Sequence, residues 1–411
     1  MFRKQYSSRA RQARRHPAPR LAVAALLLMG VVAACGAPDD KSSDDKGADQ
    51  KIPAKPSKPV ALDILDVAGN LQLTQGMIEE FRKEHPDIVS KVTYGKAPAP
   101  DLAGKIKAQQ QAGRVQIDLV LTGTDGLAAG LSQNLWSDLA AHQDLIGSPD
   151  YLPPAADMAK LAQGKGQAIV YYPSGPLVEY DPDKVKSPPR TPQELLAWAK
   201  AHPKRYQYAD PANSGPGRTW LMGLPYLLGD KDPSDPEHGW DKTWAYLKEL
   251  DKYAAPYASG TTETMKNLAS GQVDMIQSTT GWYINPRALG TVPKKMAVAH
   301  FDRMTWVTDA QYAVVPKGVS ADVMSADLNL IKWILTPKQQ AKAYDDGYFY
   351  PGPAVKDVPL SMAPAKSRQT IATYGNKDFD SWIDQFPKKP SLPAQQQVTA
   401  FDLWSRNVAG G

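Results

Sequence analysis

The sequence has little cysteine: Cys35 is the only one among 411 residues. One thiol excludes an internal disulfide, so the fold must be held by burial, which a chain of this length can supply. The six histidines show no His-x-x-x-His or similar spacing, and no cysteine is left to join them, which argues against a structural metal site. There is no Gly-x-Ser-x-Gly elbow and no loop ending Gly-Lys-Ser/Thr, so serine hydrolysis and P-loop phosphate binding lack their motifs. Carboxylates are plentiful, but no spacing singles out an acid/base pair for glycoside cleavage. Neither a cofactor motif nor a catalytic constellation stands out, and the chain reads as a non-enzyme. Phe is scarce beside Trp and Tyr, at 7 against 10 and 18. Aromatics with a polar tip suit core packing, and equally a site that stacks and hydrogen-bonds.

Long apolar runs are absent except for Leu21–Cys35. Arg3, Lys4, Arg9, Arg11, Arg14, Arg15 and Arg20 precede it without an acid, the pattern of an export signal. The run falls short of the roughly 20 apolar residues a membrane span needs. Its end, Val32-Ala33-Ala34-Cys35, resembles the bacterial lipobox, in which the cysteine is acylated and becomes the mature N-terminus. Lipid attachment explains an odd thiol in an exported chain; the alternative is an ordinary signal peptide with a chance cysteine. Arg14-Arg15 hints at a twin-arginine signal, but His16-Pro17 continues it poorly. The expected segments are a signal over 1–34 and, over 35–59, the lipidated Cys35 with a flexible tether rich in Asp, Lys, Ser, Gly and Pro.

The net charge of +5 belongs to the leader: without it 41 basic residues face 43 acidic ones. No basic stripe remains for nucleic acid.

From Val60 onward short apolar runs alternate with helical periodicity: a strand at Val60–Leu65, a helix at Leu73–Lys83 stopped by His85-Pro86, a strand near Val92–Tyr94, a helix at Asp101–Ala112 and a buried strand at Ile117–Leu121. This alternation predicts a parallel, layered α/β sheet. Two extended pieces within Gln167–Tyr180, joined at Pro173-Ser174-Gly175-Pro176, suit a strand crossing between lobes. Thr191-Pro192-Gln193-Glu194 has the N-cap, N1 proline and capping-box glutamate of a helix start. Further elements are expected at Arg205–Tyr208, Thr219–Leu228, Trp240–Lys252, Thr264–Ser270 and Val273–Ser278, then a return crossing at Tyr312–Val315 and helices at Leu328–Leu335 and Pro337–Tyr344. The tail from Pro364 to Trp404 reads as mostly helical.

Ligands of open α/β sheets bind beyond the carboxyl ends of strands. Four Gly-containing loops qualify: 66–70, 122–126, 213–218 and 279–282. In the third, Ser-Gly-Pro-Gly before a helix presents backbone N–H groups, with Arg218 as a further donor; alternatively Ser214 is only an N-cap and Arg218 faces solvent. Trp282 and Trp306 are candidate stacking platforms, although tryptophans after strands more often belong to the core. Asp66, Asp125 and Asp309 offer counter-charge to a cationic ligand, or act as helix caps.

The order of these motifs, from the lipobox through Leu65–Gly69, Thr-Pro-Gln-Glu-Leu-Leu-Ala-Trp-Ala at 191–199, Asp-Pro-Ala-Asn-Ser-Gly-Pro-Gly at 210–217 and Val-Val-Pro-Lys-Gly at 314–318, resembles the family 1 extracellular solute-binding proteins. These are the substrate-capturing lipoproteins of bacterial ABC importers, and the likeness runs nearest to the polyamine, thiamine and iron branch. The resemblance implies a two-lobed periplasmic-binding-protein-like (type II) α/β fold with hinge crossovers and a helical C-terminal segment. The first lobe is expected at 60–172 and 310–350, the second at 173–309, with 351–411 packing on both. It implies ligand contacts at Asn70, Thr122, Thr124, Ser214, Gly215, Arg218, Thr280, Trp282 and Trp306. The implied partners are a small polar ligand such as a polyamine or thiamine-like cation, permease subunits, and the outer face of the membrane or the periplasm through the lipid on Cys35. The molecule is expected to work as a monomer. The paired tyrosines of the ferric-binding branch find no convincing match in Tyr348-Phe349-Tyr350. A lipid-anchored sensor, and less so a secreted hydrolase, remain the alternatives.

Overall fold

The computed structural model describes residues 51–67 and 69–410. The signal segment, Cys35 and most of the tether lie outside the described residues.

The first sheet is built from β1 (Val60–Asp66), β2 (Val89–Lys96), β3 (Leu119–Gly123) and β4 (Gly166–Gly175), with α1 (Leu71–Glu84), α2 (Ala99–Gln111), α3 (Thr124–Ser132), α4 (Gln143–Ile146) and α5 (Pro153–Leu161) in the connections. β1 lies between β2 and β3 and is parallel to both. β3 shows why the sheet is layered on both faces. Leu119 and Leu121 pack with Met77, Ile78 and Phe81 of α1, while Val120 points the other way to Leu102, Ile106 and Leu127 of α2 and α3. A continuous apolar run is what a strand covered on both sides requires.

The second sheet follows: β5 (Leu177–Tyr180), α6 (Pro192–Ala201), β6 (Tyr206–Gln207), α7 (Gly215–Leu228), α8 (Asp241–Asp251), α9 (Thr261–Ala269), β7 (Met275–Ser278), α10 (Thr280–Ala288) and β8 (Ala297–His300). Its strand order is β6-β7-β5-β8. The chain then returns through β9 (Trp306–Val314), α11 (Ala321–Ile334) and α12 (Pro337–Gln340), and ends with α13 (Ala365–Tyr374), α14 (Phe379–Gln385), β10 (Lys388–Pro390) and α15 (Ala394–Trp404). β9 is the centre of the first sheet, antiparallel to β3 and β4 and parallel to β10. The chain thus passes between two lobes at 175–177 and again at 300–306.

The expected elements are present, several with longer bounds. With Ser214 as N-cap, α7 starts at Gly215, four residues before Thr219, and Thr279–Trp282 is the N-cap and first residues of α10 rather than a strand end. The return strand begins at Trp306 instead of Tyr312. β8 and β10 have no counterpart in the sequence reading; each is short, and β10 is two lysines and a proline. Thr191 accepts the Glu194 N–H at 3.1 Å as its capping box requires, while the Glu194 carboxylate reaches one residue further back, to the Arg190 N–H at 2.7 Å.

Residues 51–59, expected as free tether, are docked. The Ser57 N–H and hydroxyl both bond Asp322 on α11, at 2.8 and 2.5 Å, and the Ala54 carbonyl accepts from Asn329. Pro56 is buried and Ile52 packs on the core. Composition alone misses this because the partners lie some 265 residues away.

One buried acid makes a pH prediction. Glu179 on β5 is fully buried, with one carboxylate oxygen accepting the Ser278 hydroxyl at 2.8 Å and the other without a hydrogen-bond partner among the described residues. Burial pushes its carboxyl up to about 7 from the ordinary 4.5, against the opposing pull of Ser278 and the Arg287 charge. A raised folded-state pKa means stability that is complete below about 4.5 and lost as pH rises through about 7. Glu179→Gln is therefore expected to gain roughly 3 kcal/mol relative to wild type between pH 4 and pH 8. Urea melts at both pH values check it; equal pH dependence of the two proteins contradicts it.

Candidate functional site

Between the strand ends of the two sheets lies a cavity of about 820 Å³, within the range of small-molecule sites. The first lobe contributes Asp125, Tyr172, Ser174 and Gln311, and the Tyr348-Phe349 corner; the second contributes Ser214, Gly215, Arg218, Thr279 and Trp282 and the start of α9 from Ser259 to Glu263, with Lys266.

Its polar floor is organised by Asp309, a fully buried carboxylate on β9. One oxygen accepts from the Thr124 hydroxyl and the other from an Arg218 terminal nitrogen, each at 2.5 Å. The second terminal nitrogen of Arg218 is 3.6 Å from Asp125, and among the described residues its Nε has no hydrogen-bond partner. Burial alone would lower the guanidinium pKa; the charges of Asp309 and Asp125 outweigh it and hold the group more firmly protonated than usual. This bridge joins β9 and α3 in one lobe to the first turn of α7 in the other. Beside it Asn70 donates to the Gln311 side-chain oxygen at 2.8 Å, and Gln311 donates to the Tyr172 hydroxyl at 3.0 Å.

Of the residues expected from sequence, Ser214, Gly215, Arg218 and Trp282 line the cavity. Ser214 is also the N-cap of α7, accepting the Gly217 N–H at 3.1 Å, and Arg218 is 4 % exposed rather than solvent-facing. Trp282 is half-buried, its ring edge-on to Tyr348 at 5.6 Å. Asn70, Thr122, Thr124 and Thr280 stand behind the wall. Thr124 holds Asp309, the Thr122 hydroxyl is buried with no partner among the described residues, and Thr280 donates to the Tyr350 carbonyl at 2.8 Å. Trp306 is elsewhere: it is fully buried where β9 meets β10, and its indole N–H donates to the Trp382 carbonyl at 3.1 Å. A tryptophan beginning a central strand is walled in by the layers on either side.

The three aspartates read as counter-charge to a cation or as helix caps are engaged within the protein. Asp66 accepts the N–H groups of Asn70 and Leu71 at 2.9 and 3.2 Å, Asp125 accepts that of Gly126 at 2.9 Å, and Asp309 is tied as described. Among the described residues no cluster of three or more His, Cys, Asp and Glu is placed to hold a metal ion, and no helix is long and apolar enough to cross a membrane. Sequence reasoning missed Tyr172, Ser174, Gln311 and the start of α9 from Ser259 to Glu263, having expected that helix only from Thr264. A signal was present in Trp306–Val314, where Thr308, Asp309 and Gln311 interrupt an otherwise apolar strand and all are buried.

Solved structures with this architecture are distant in sequence. A γ-aminobutyrate (GABA) receptor is 18% identical, with 86% of this chain and 98% of that one covered and a TM-score of 0.62. A spermidine/putrescine ABC transporter substrate-binding protein from Streptococcus pneumoniae is 14% identical, with 84% and 98% covered and a TM-score of 0.59. A periplasmic thiamin-binding protein is 15% identical, with 87% and 99% covered and a TM-score of 0.59. These likenesses show the two-lobed periplasmic-binding-protein fold. No curated protein matches the sequence. The family model for bacterial extracellular solute-binding proteins matches residues 76–373, and with most of its length so matched the chain belongs to that family.

Proposed function

We propose that this protein captures a small polar solute in the interlobe cavity and delivers it to the permease of an ABC importer, without chemical change to the solute. The observation that carries the reading is the cavity itself, walled by residues from the ends of both sheets, between which the chain crosses at 175–177 and 300–306. Closure about the crossings at 175–177 and 300–306 would bring the two walls onto the ligand. Ser214, Gly215, Arg218 and Trp282 are the proposed contacts, with Asn70, Thr122, Thr124 and Thr280 holding the loops that carry them. Export by the 1–34 signal and a lipid on Cys35 would keep a monomeric receptor at the outer face of the membrane.

Trp282→Ala tests the site. A half-buried ring at the cavity wall should contribute mainly to binding, so the variant is expected to lose roughly tenfold or more in affinity with little change in melting temperature. The check is thermal melting and calorimetry of refolded protein lacking residues 1–50, titrated with polyamines, thiamine, amino acids, sugars and organic anions. Equal losses of stability and affinity would assign Trp282 to the core.

A further inference from the structure

The lining of the cavity also bears on the class of solute, given capture in the cleft. Five helices begin there: Pro98 and Ala99 open α2, Gly123 caps α3, Ser214 and Gly215 open α7, Gly260 and Thr261 open α9, and Thr279 caps α10. A helix start carries N–H groups without an intrahelical partner and the positive end of a helix dipole. The backbone N–H groups of Ala99, Gly215, Thr261 and Thr262 make no hydrogen bond among the described residues.

Two side chains add an independent sign. Ser174, held at φ +66° and fully buried, lines the cavity, as does Arg218, 4 % exposed; among the described residues neither the Ser174 hydroxyl nor the Arg218 Nε has a hydrogen-bond partner. The acids of the wall are occupied: Asp125 by Gly126 and Arg218, Glu263 by the N–H and hydroxyl of Ser259, both at 2.8 Å. Lys266, also on the wall, makes no ion pair among the described residues. Hydrogen-bond donors are in surplus, while the acids of the wall already accept hydrogen bonds from the protein.

We propose that the solute is an organic anion whose carboxylate or phosphate docks against the converging helix starts and Ser174, with its carbon body against Trp282 and Tyr348. Lys266 then attracts it from the rim, and the aromatic wall selects an organic body over bare inorganic phosphate.

Calorimetric titration of the refolded protein tests this with inorganic phosphate, glycerol 3-phosphate, a sugar 6-phosphate, succinate, 4-aminobutyrate, putrescine and thiamine. The expected result is saturable binding of a phosphate monoester or a carboxylate, the two arms telling which head group is read. Lys266→Glu, an exposed substitution that leaves folding intact, is expected to weaken that binding about tenfold, and Ser174→Ala to weaken it further. Binding of putrescine or thiamine that Lys266→Glu strengthens overturns the anion assignment while leaving cleft capture standing. Binding indifferent to both Lys266→Glu and Trp282→Ala lies outside the cleft and overturns both readings, as does a folded protein that binds none of the probes.

Discussion

Arg218→Met is expected to destabilise the protein by about 3–5 kcal/mol, the range for breaking one half of a buried ion pair. The loss comes less from the attraction removed than from what remains: Asp309 is fully buried and would keep the Thr124 hydroxyl but no cation. Desolvating a carboxylate without compensation costs more than the pair contributed. It follows that removing both charges should be far milder. The double variant Arg218→Met with Asp309→Leu is expected to recover at least half of the single loss, because apolar replacements of similar volume often match a buried pair in stability. Urea unfolding of the wild type, both single variants and the double variant gives the coupling directly. Additive losses would mean that the pair does not act as a unit. Ligand affinity separates a second role, since the double variant should fold but lose the guanidinium from the cavity wall.

The other large effect is expected at the far end of the chain. Trp404, at the end of α15, is 3 % exposed and donates its indole N–H to the Tyr208 hydroxyl at 3.0 Å, with Tyr257 edge-on at 4.9 Å. α15 packs along α3 of the first lobe, while the turn after it, Ser405–Ala409, packs on α8 of the second. The tail therefore ties the lobes independently of the strand crossings. Trp404→Ala removes a buried indole and leaves Tyr208 without that donor, for an expected loss of about 3–5 kcal/mol. The mechanism also predicts a new thermolysin cleavage between 386 and 411, read by mass spectrometry, before the rest of the chain unfolds. A single cooperative transition with no early cleavage would show that the tail is not a separate tie.

Much of the layered architecture was legible because its determinants are local. Proline and glycine punctuate the chain, Thr191 and Ser214 are caps that function as caps, and β3 carries the unbroken apolar run of a strand buried on both faces. The site was legible only where a loop composition announced it, as at Ser214-Gly215. What escaped depends on partners remote in sequence. Arg218 meets Asp309 across 91 positions, Asn70 meets Gln311 across 241, and Ser57 meets Asp322 across 265. No window centred on either partner contains the other. Trp306 misled for a related reason: a tryptophan beside Thr305 looks the same in sequence whether its strand lies at an edge or, as here, at the centre of a sheet.

The central claim is that the two lobes close on a solute held between them. Small-angle X-ray scattering of the refolded protein, ligand-free and then saturated with the compound that raises its melting temperature most, tests it directly. Lobe closure should give a smaller radius of gyration in the saturated sample, and no such change in Trp282→Ala at a concentration that saturates only the wild type. Identical profiles with and without a tight binder would contradict it.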